Sequence, residues 1–231
     1  ASNNVGTLRN SYGGIRDMVI GMSVVQADGT MTKSGGSVVK NVAGYDMARL
    51  HIGALGTLGA ISTVAFKIGP IPQTMRTIVA WFDSVESASV AGMRITNGPF
   101  MPESVTVIAG SCAAEHASTL ASQNSAKTSK NAIVLVIVLA ASNATLKRQV
   151  EDTTAILGTG IADGFVVLDG EDQFSSWSLG KQPDILPTLS IRTTQKPTAA
   201  FDLIRSLIES SSDQHVHVVG QVGFGTVEAY W

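Results

Sequence analysis

Gly35–Ile61 reads GGSVVKNVAGYDMARLHIGALGTLGAI, and the reading of this stretch decides the fold. Gly53, Gly56 and Gly59 recur at a spacing of three, between a helical pattern over Tyr45–Ile52 and an alternating strand pattern over Ala60–Ile68. Glycine accepts positive φ and lets a ligand approach the backbone closely. The exposed N–H groups of such a turn can hold phosphate or ring oxygens. It can also be a tight connection whose small residues serve packing, and spacing alone leans that way. It is not the dinucleotide fingerprint G-x-G-x-x-G, because the helix precedes the glycines instead of following them.

Outward from this stretch, Met18–Gln26 is an apolar strand pattern and Ala27-Asp28-Gly29-Thr30 carries the Asp-Gly hairpin signal. Met31–Ser34 returns, and Gly35-Gly36 ends the strand. Asp46 stands near the start of the helical pattern, where negative charge is favoured. The N-terminal Ala1–Asp17, ASNNVGTLRNSYGGIRD, is a polar, backbone-exposing segment with two cations, Arg9 and Arg16. Asn3, Asn4, Gly6, Thr7, Gly13 and Gly14 suit an anionic ligand with flat polar edges, although a frayed terminus has the same composition.

Gly69-Pro70-Ile71-Pro72 marks a junction, since proline removes donors and extends its neighbours. Two domains are expected, 1–72 and 73–231. Beyond the junction, strands are expected at Arg76–Phe82, Ser104–Ala109, Ala132–Ala141 and Gly164–Leu168, with helices at Ser84–Thr96 and Asn143–Leu157. Ser84 and Asn143 are the expected caps. The order βαββαβ is that of a ferredoxin-like antiparallel sheet with helices on one face. Glu115–Lys130 is polar, helix or loop. Then come a helix at Gln173–Leu179, a strand at Thr188–Thr193, a helix at Pro197–Glu209 with proline in its first turn, and strands around His215–Gly220 and Thr226–Trp231.

The 231 residues are 44% hydrophobic and only 15% charged, with a net charge of −2. That supports a real core and gives no basic surplus for nucleic acid. The longest apolar run, Ala132–Ala141, is far shorter than the roughly 20 residues a membrane-spanning helix needs, and its Val/Ile content reads as a strand buried on both faces. The single cysteine, Cys112, excludes an internal disulfide, and a reducing compartment is expected.

Taken together, the motifs resemble the FAD-binding subunit of glycolate oxidase and the D-lactate dehydrogenases of the vanillyl-alcohol oxidase, or PCMH-type, superfamily. They are Gly13-Gly14-Ile15-Arg16-Asp17, Ala27-Asp28-Gly29, Lys40-Asn41-Val42-Ala43-Gly44-Tyr45-Asp46 and Gly53–Ile61, in that order. The match is close over Ala1–Pro72 and looser over the rest. It implies an α+β fold: the second half of a PCMH-type FAD-binding domain, then a ferredoxin-like cap. It also implies that a first FAD subdomain lies upstream, so that this length alone is expected to bind FAD weakly or not at all.

The resemblance further implies cofactor-binding roles for Ser2, Asn3, Asn4, Gly6, Arg9, Gly13, Arg16, Lys40, Asn41, Gly53, Gly56, Thr57, Leu58, Gly59 and Ile61. Thr7 departs from the usual proline of that loop. Lys40 is expected to pair either with phosphates or with Asp46. Lys40, Asn41 and Tyr45 are expected to shape the pocket and not to do chemistry. The implied activity is FAD-dependent oxidation of a small 2-hydroxy acid, glycolate or D-lactate, with electrons leaving through a sister flavin subunit and an iron–sulfur subunit. The alternative is an accessory FAD-binding subunit for electron transfer or assembly, with the chemistry on the sister; a weaker one is another flavoenzyme on the same fold, such as an enolpyruvyl sugar reductase. The expected location is cytoplasmic, peripheral to the inner membrane through partners. The C-terminal histidine motif of the directly oxidising relatives is replaced by His215-Val216-His217, read as a solvated strand face and not a metal site. His51, Cys112 and the tryptophans Trp81, Trp177 and Trp231 are read as packing or edge residues, and Glu151/Asp152 as an exposed helix face. No catalytic residue is named at this level.

Overall fold

The Asp-Gly hairpin forms as its chemistry requires. In the computed structural model, which describes residues 1–3, 6–38, 45–110, 113–115, 117–118, 133–168, 187–211 and 216–231, strand β1 (Val19–Val25) pairs antiparallel with β2 (Met31–Gly35). Gly29 takes φ +84° and donates to the Gln26 carbonyl, so Ala27-Asp28-Gly29 is a three-residue loop with its glycine left-handed. Asp28 Oδ1 accepts from the Thr30 N–H at 2.9 Å. The Thr30 backbone and side-chain hydrogen bonds hold the Asp28 carboxyl below its ordinary range. A carboxyl lowered by folding stabilises the folded form above its unfolded pKa and loses that contribution as pH falls. Hydrogen exchange at the Thr30 amide is therefore expected to accelerate, relative to its unfolded rate, on acidification below about 4. D28N should show no such step.

The chain divides into two compact units, Ala1–Ile71 and Pro72–Trp231. In the first, β1 lies between β2 and β3 (Ala60–Phe66). Two single turns, α1 (Arg9–Tyr12) and α2 (Ile15–Met18), precede the sheet, and α3 (Ala48–His51) packs on β1. The helix expected over Tyr45–Ile52 is thus only one turn. Ile52 is extended and Gly53 takes φ +87°, and so short a segment gains too little from propagation to lengthen. The alternation expected in β3 is also broken. Register shifts between β1 and β3 leave Ser62 as an extra residue, with its hydroxyl on the Ser23 carbonyl at 3.1 Å. The buried core here is small: Met22, Val24 and Ala48, with Val19, Ile52, Ile61 and Val64 against them.

In the second unit, β4 (Thr74–Phe82), α4 (Val85–Thr96), β5 (Ser104–Gly110), β6 (Ile133–Ala141), α5 (Asn143–Leu157) and β7 (Gly164–Leu168) realise the βαββαβ order. Their strands lie as β7-β4-β6-β5, antiparallel throughout, the ferredoxin-like arrangement. After β8 (Ser190–Thr194) and α6 (Pro197–Ser210), β9 (His217–Gln221) and β10 (Thr226–Tyr230) extend the sheet to seven strands, β7-β4-β6-β5-β9-β10-β8. Residues of α4, α5 and α6 share one apolar core with one face of the sheet, including Ile78, Phe82, Leu135, Ile137 and Val218. The opposite face carries Val79, Trp81, Ile108, Val134 and Val136, with Ala113 and Ala117 against them. The central β6 is buried from Ile133 to Leu139, which is why it reads as a continuous apolar run.

Ser84 caps α4 through its hydroxyl, which accepts from the Ser87 N–H at 3.2 Å. Ser84→Ala is expected to lower stability by about 1 kcal/mol in urea unfolding, with an unchanged denaturant slope. In α5 the cap is Ser142 and not Asn143, which is the first helical residue. The expected exposed face on α5 is present: Lys147–Glu151 at 4.0 Å and Arg148–Asp152 at 3.9 Å. The readings made for Asn4, Lys40, Asn41, Cys112, Trp177, His215, most of Glu115–Lys130 and the helix at Gln173–Leu179 lie outside the described residues.

Candidate functional site

Gly53–Gly59 is a turn built of left-handed residues. Gly53, Leu55, Gly56 and Gly59 have φ of +87°, +51°, +81° and +143°. The turn closes on itself through the Thr57 N–H and hydroxyl, both donated to the Ala54 carbonyl, the latter at 2.7 Å. Two of its glycines are needed for different reasons. A Cβ on Gly59 would stand 2.7 Å from the Val25 carbonyl oxygen, so this glycine lets the turn press against β1. A Cβ on Gly56 would meet nothing within 4 Å, so space stands open there.

The N-terminal segment joins this turn. The Leu55 N–H donates to the Ala1 carbonyl at 3.2 Å, and a Cβ on Gly53 would lie 3.6 Å from the Asn3 Cβ. Ser2, Asn3 and Gly6 are exposed, and Asn3 is itself left-handed at φ +53°. Among the described residues, no acceptor takes the N–H of Gly56 or Leu58. Leu55 and Leu58 are largely exposed. The turn therefore offers free N–H donors beside apolar surface. Ile61 is different: its side chain packs on the Met22–Val24 core.

Arg9, Gly13, Arg16 and Asp17 form a second local group. The Asp17 carboxylate accepts from the Gly14 N–H at 2.8 Å and fills the space beside Gly13, where a Cβ would lie 2.9 Å from Asp17 Oδ2. The Gly13-Gly14 backbone thus already cradles an anion from its own chain. Arg16 is exposed on α2. Asp46 pairs with Arg49. His51 is half-buried, and Tyr45 is exposed.

A group not singled out from sequence lies on the face of the seven-stranded sheet opposite α4, α5 and α6. Tyr230 Oη donates to Glu228 Oε2 at 2.5 Å, and Glu228 Oε1 pairs with Arg192 Nε at 3.0 Å. Burial, then the Glu228 hydrogen bond, push the Tyr230 hydroxyl well above its ordinary range, so it remains a donor. His217 stacks on Tyr230 with ring centroids 6.1 Å apart. His217 is only 7% exposed, which corrects the solvated-face reading: β9 is an inner strand, paired with β5 and β10. Among the described residues, no three His, Cys, Asp or Glu side chains gather closely enough to hold a metal ion.

No protein-family model matches the chain. Individual proteins do. Glycolate oxidase subunit GlcD of Bacillus subtilis is 42% identical over 87 residues, 37% of this chain and 18% of that protein. Glycolate oxidase subunit GlcE of Escherichia coli is 40% identical over 68 residues, 29% of this chain and 19% of that protein. D-lactate dehydrogenase of Anaerostipes hadrus is 22% identical along the whole chain and 51% of its own length. Solved structures agree on the fold: p-cresol methylhydroxylase superposes on 99% of the chain at TM-score 0.65 and 14% identity, covering 53% of that chain. An alkyldihydroxyacetonephosphate synthase superposes on 99% at TM-score 0.69 and 16% identity, covering 47% of that chain. Over part of its length the chain is thus similar in sequence to glycolate oxidase subunits and D-lactate dehydrogenases, and it shares the fold of these FAD-linked oxidase structures.

The chain spans about half the length of the D-lactate dehydrogenase it matches along its whole length. What sequence reasoning missed was the Arg192–Glu228–Tyr230–His217 group. Part of its signal was available: Glu228 and Tyr230 are two apart on a strand and so share a face. Their cross-strand partners, Arg192 and His217, follow only from the register of β8-β10-β9.

Proposed function

We propose that this chain is part of an FAD-dependent oxidoreductase that oxidises a small 2-hydroxy acid, glycolate or D-lactate in the first instance, to the 2-oxo acid. The observation that carries the reading is the Gly53–Gly59 turn, open above Gly56 and lined by free N–H donors and exposed Leu55 and Leu58. These features fit a dinucleotide with anionic oxygens and flat apolar rings. Ser2, Asn3, Gly6, Gly53, Gly56, Thr57, Leu58 and Gly59 would hold it, with Arg9 and Arg16 supplying positive charge. When bound, FAD supplies the hydride acceptor for the α-carbon of the substrate. The chain's own contribution is to hold the cofactor through backbone groups and to orient substrate. The first unit is assigned as the second half of the PCMH-type FAD-binding domain and the second as the cap.

The similarity to proteins named as subunits favours a second reading, an accessory chain that binds FAD while a sister subunit oxidises the substrate. A sister flavin subunit and an iron–sulfur subunit are the proposed partners in either reading. Among the described residues, no helix is long and apolar enough to cross a membrane. A cytoplasmic location, with attachment to the inner membrane through partners, is proposed with these partners.

The test is anaerobic mixing of the complete polypeptide that carries this chain with glycolate and with D-lactate. Direct bleaching of the flavin band supports oxidation by this subunit. A yellow protein that is reduced only after the sister subunit is added supports the accessory role. A complete polypeptide that retains no FAD would sink both.

A further inference from the structure

An open cleft of about 340 Å³ lies wholly within the second unit, where α5 passes over β4 and the edge strand β7. Its β4 residue is Arg76. Alternation puts Arg76 on the same face of the strand as Ile78, Ala80 and Phe82, all fully buried. A cation therefore stands in a row whose next three members are apolar core. One of its N–H groups donates to the Met75 carbonyl at 3.0 Å. A guanidinium has five such donors in a planar fork that matches a carboxylate.

The rest of the lining divides into an apolar floor and a charged rim. Leu146 and Val150 are four apart on α5 and point the same way, and Val167 of β7, paired with Ile78, completes the floor. Lys147 and Glu151 form the rim. They lie 4.0 Å apart with side chains 80% and 63% exposed, a contact worth little in water. The lining thus carries two cations, Arg76 and Lys147, against one carboxylate, Glu151. Asn143 adds an amide at the start of α5, and the first turn of that helix holds no acidic residue, so its dipole adds to the same sign.

We propose that this cleft binds a small organic monoanion, a carboxylate on a short apolar chain. The carboxylate lies between Arg76 and Lys147, and the chain lies along Leu146, Val150 and Val167. Glu151 repels a second negative charge, so the site selects monocarboxylates over dicarboxylates. Because every residue involved belongs to the second unit, the site stands whether or not the chain oxidises a 2-hydroxy acid.

Butyrate is the probe. Butyramide is its neutral analogue, and succinate carries a second carboxylate. In the complete polypeptide that carries this chain, with labelled Leu and Val methyl groups, butyrate should move the Leu146, Val150 and Val167 resonances saturably, with a Kd on the order of 1 mM. Butyramide and succinate should bind about tenfold more weakly or worse. Lys147→Glu removes no buried contact and should abolish binding. Arg76→Gln should weaken it about tenfold or more, and Arg76→Lys, which keeps the charge, should lose less. Glu151→Gln should tighten butyrate and succinate by about twofold to fivefold. Equal shifts with butyrate and butyramide would reveal an apolar crevice that ignores the carboxylate and would overturn the proposal. The absence of saturable shifts at these three residues overturns it as well, and so does an affinity that Lys147→Glu leaves unchanged. If Arg76→Gln does not fold, Lys147→Glu and Glu151→Gln, both at exposed positions, decide the matter.

Discussion

Replacing Gly59 by alanine is expected to destabilise the first unit by on the order of 3 kcal/mol and to abolish retention of FAD by the complete polypeptide. Two costs combine. The backbone sits at φ +143°, outside the regions an L-residue occupies comfortably. The new Cβ would also press on the Val25 carbonyl oxygen at 2.7 Å and on Val24 Cγ1 at 2.8 Å. Val24 is, among the described residues, one of three buried apolar side chains of this unit, so the strain falls on its core. A three-stranded sheet with so small a core has little stability in reserve. Gly56→Ala separates the steric role from the ligand role. Its Cβ would enter open space, so only the conformational cost at φ +81° remains, about 1–2 kcal/mol. Yet that methyl would stand where the cofactor is proposed to lie. The expected result is a modest shift in urea unfolding for Gly56→Ala but a large loss of bound flavin, measured as the ratio of flavin to protein absorbance. If Gly56→Ala keeps its flavin and Gly59→Ala loses it only in proportion to unfolding, the turn is a packing device.

That comparison bears on what was legible in the sequence. The glycine spacing marked a turn but left its purpose open. Only the coordinates distinguish Gly59, pressed against β1, from Gly56, which touches nothing. The hairpin was legible because Asp28-Gly29 encodes its loop locally. The cap sheet was legible because strand and helix periods alternate in an order with one common antiparallel solution. The short α3 was misread because eight residues of helical pattern carry no information about whether tertiary contacts will extend them. His217 was placed in solvent because two histidines on one strand face, with no third metal ligand in view, were read as a solvated face. Its true neighbours, β5 and β10, are set by pairings more than 100 residues apart and by the final hairpin. The Asp17 cradle was missed for the opposite reason: Gly13 and Gly14 suggested a ligand, and the ligand proved to be a carboxylate three residues on.

The second large effect concerns the apolar face of the seven-stranded sheet opposite α4, α5 and α6. Trp81 is 1% exposed near the C-terminal end of β4, opposite Val134 of β6 and Gly164 of β7. Gly164 is matched to it: a Cβ there would come within 2.3 Å of Trp81 Cζ2. The indole therefore occupies the space that a side chain on the edge strand would need. Trp81→Ala should cost about 3–5 kcal/mol, because the strands around it are held by sheet hydrogen bonds and cannot collapse into the gap. Gly164→Ala should cost about 1–3 kcal/mol by overpacking the same space. The double variant Trp81→Ala/Gly164→Ala should then be less destabilised than the sum, since the new methyl enters the cavity that the first change leaves. Equilibrium denaturation of all three measures the coupling. A Trp81→Ala cost below about 1 kcal/mol, or strict additivity in the double variant, would show that the indole does not support this face. Trp81 pairs with Val134, and Val134 pairs in turn with Ile108 of β5. A gap at Trp81 is thus expected to loosen β6 and β5 through these pairings, accelerating amide exchange along both strands in parallel with the loss of stability.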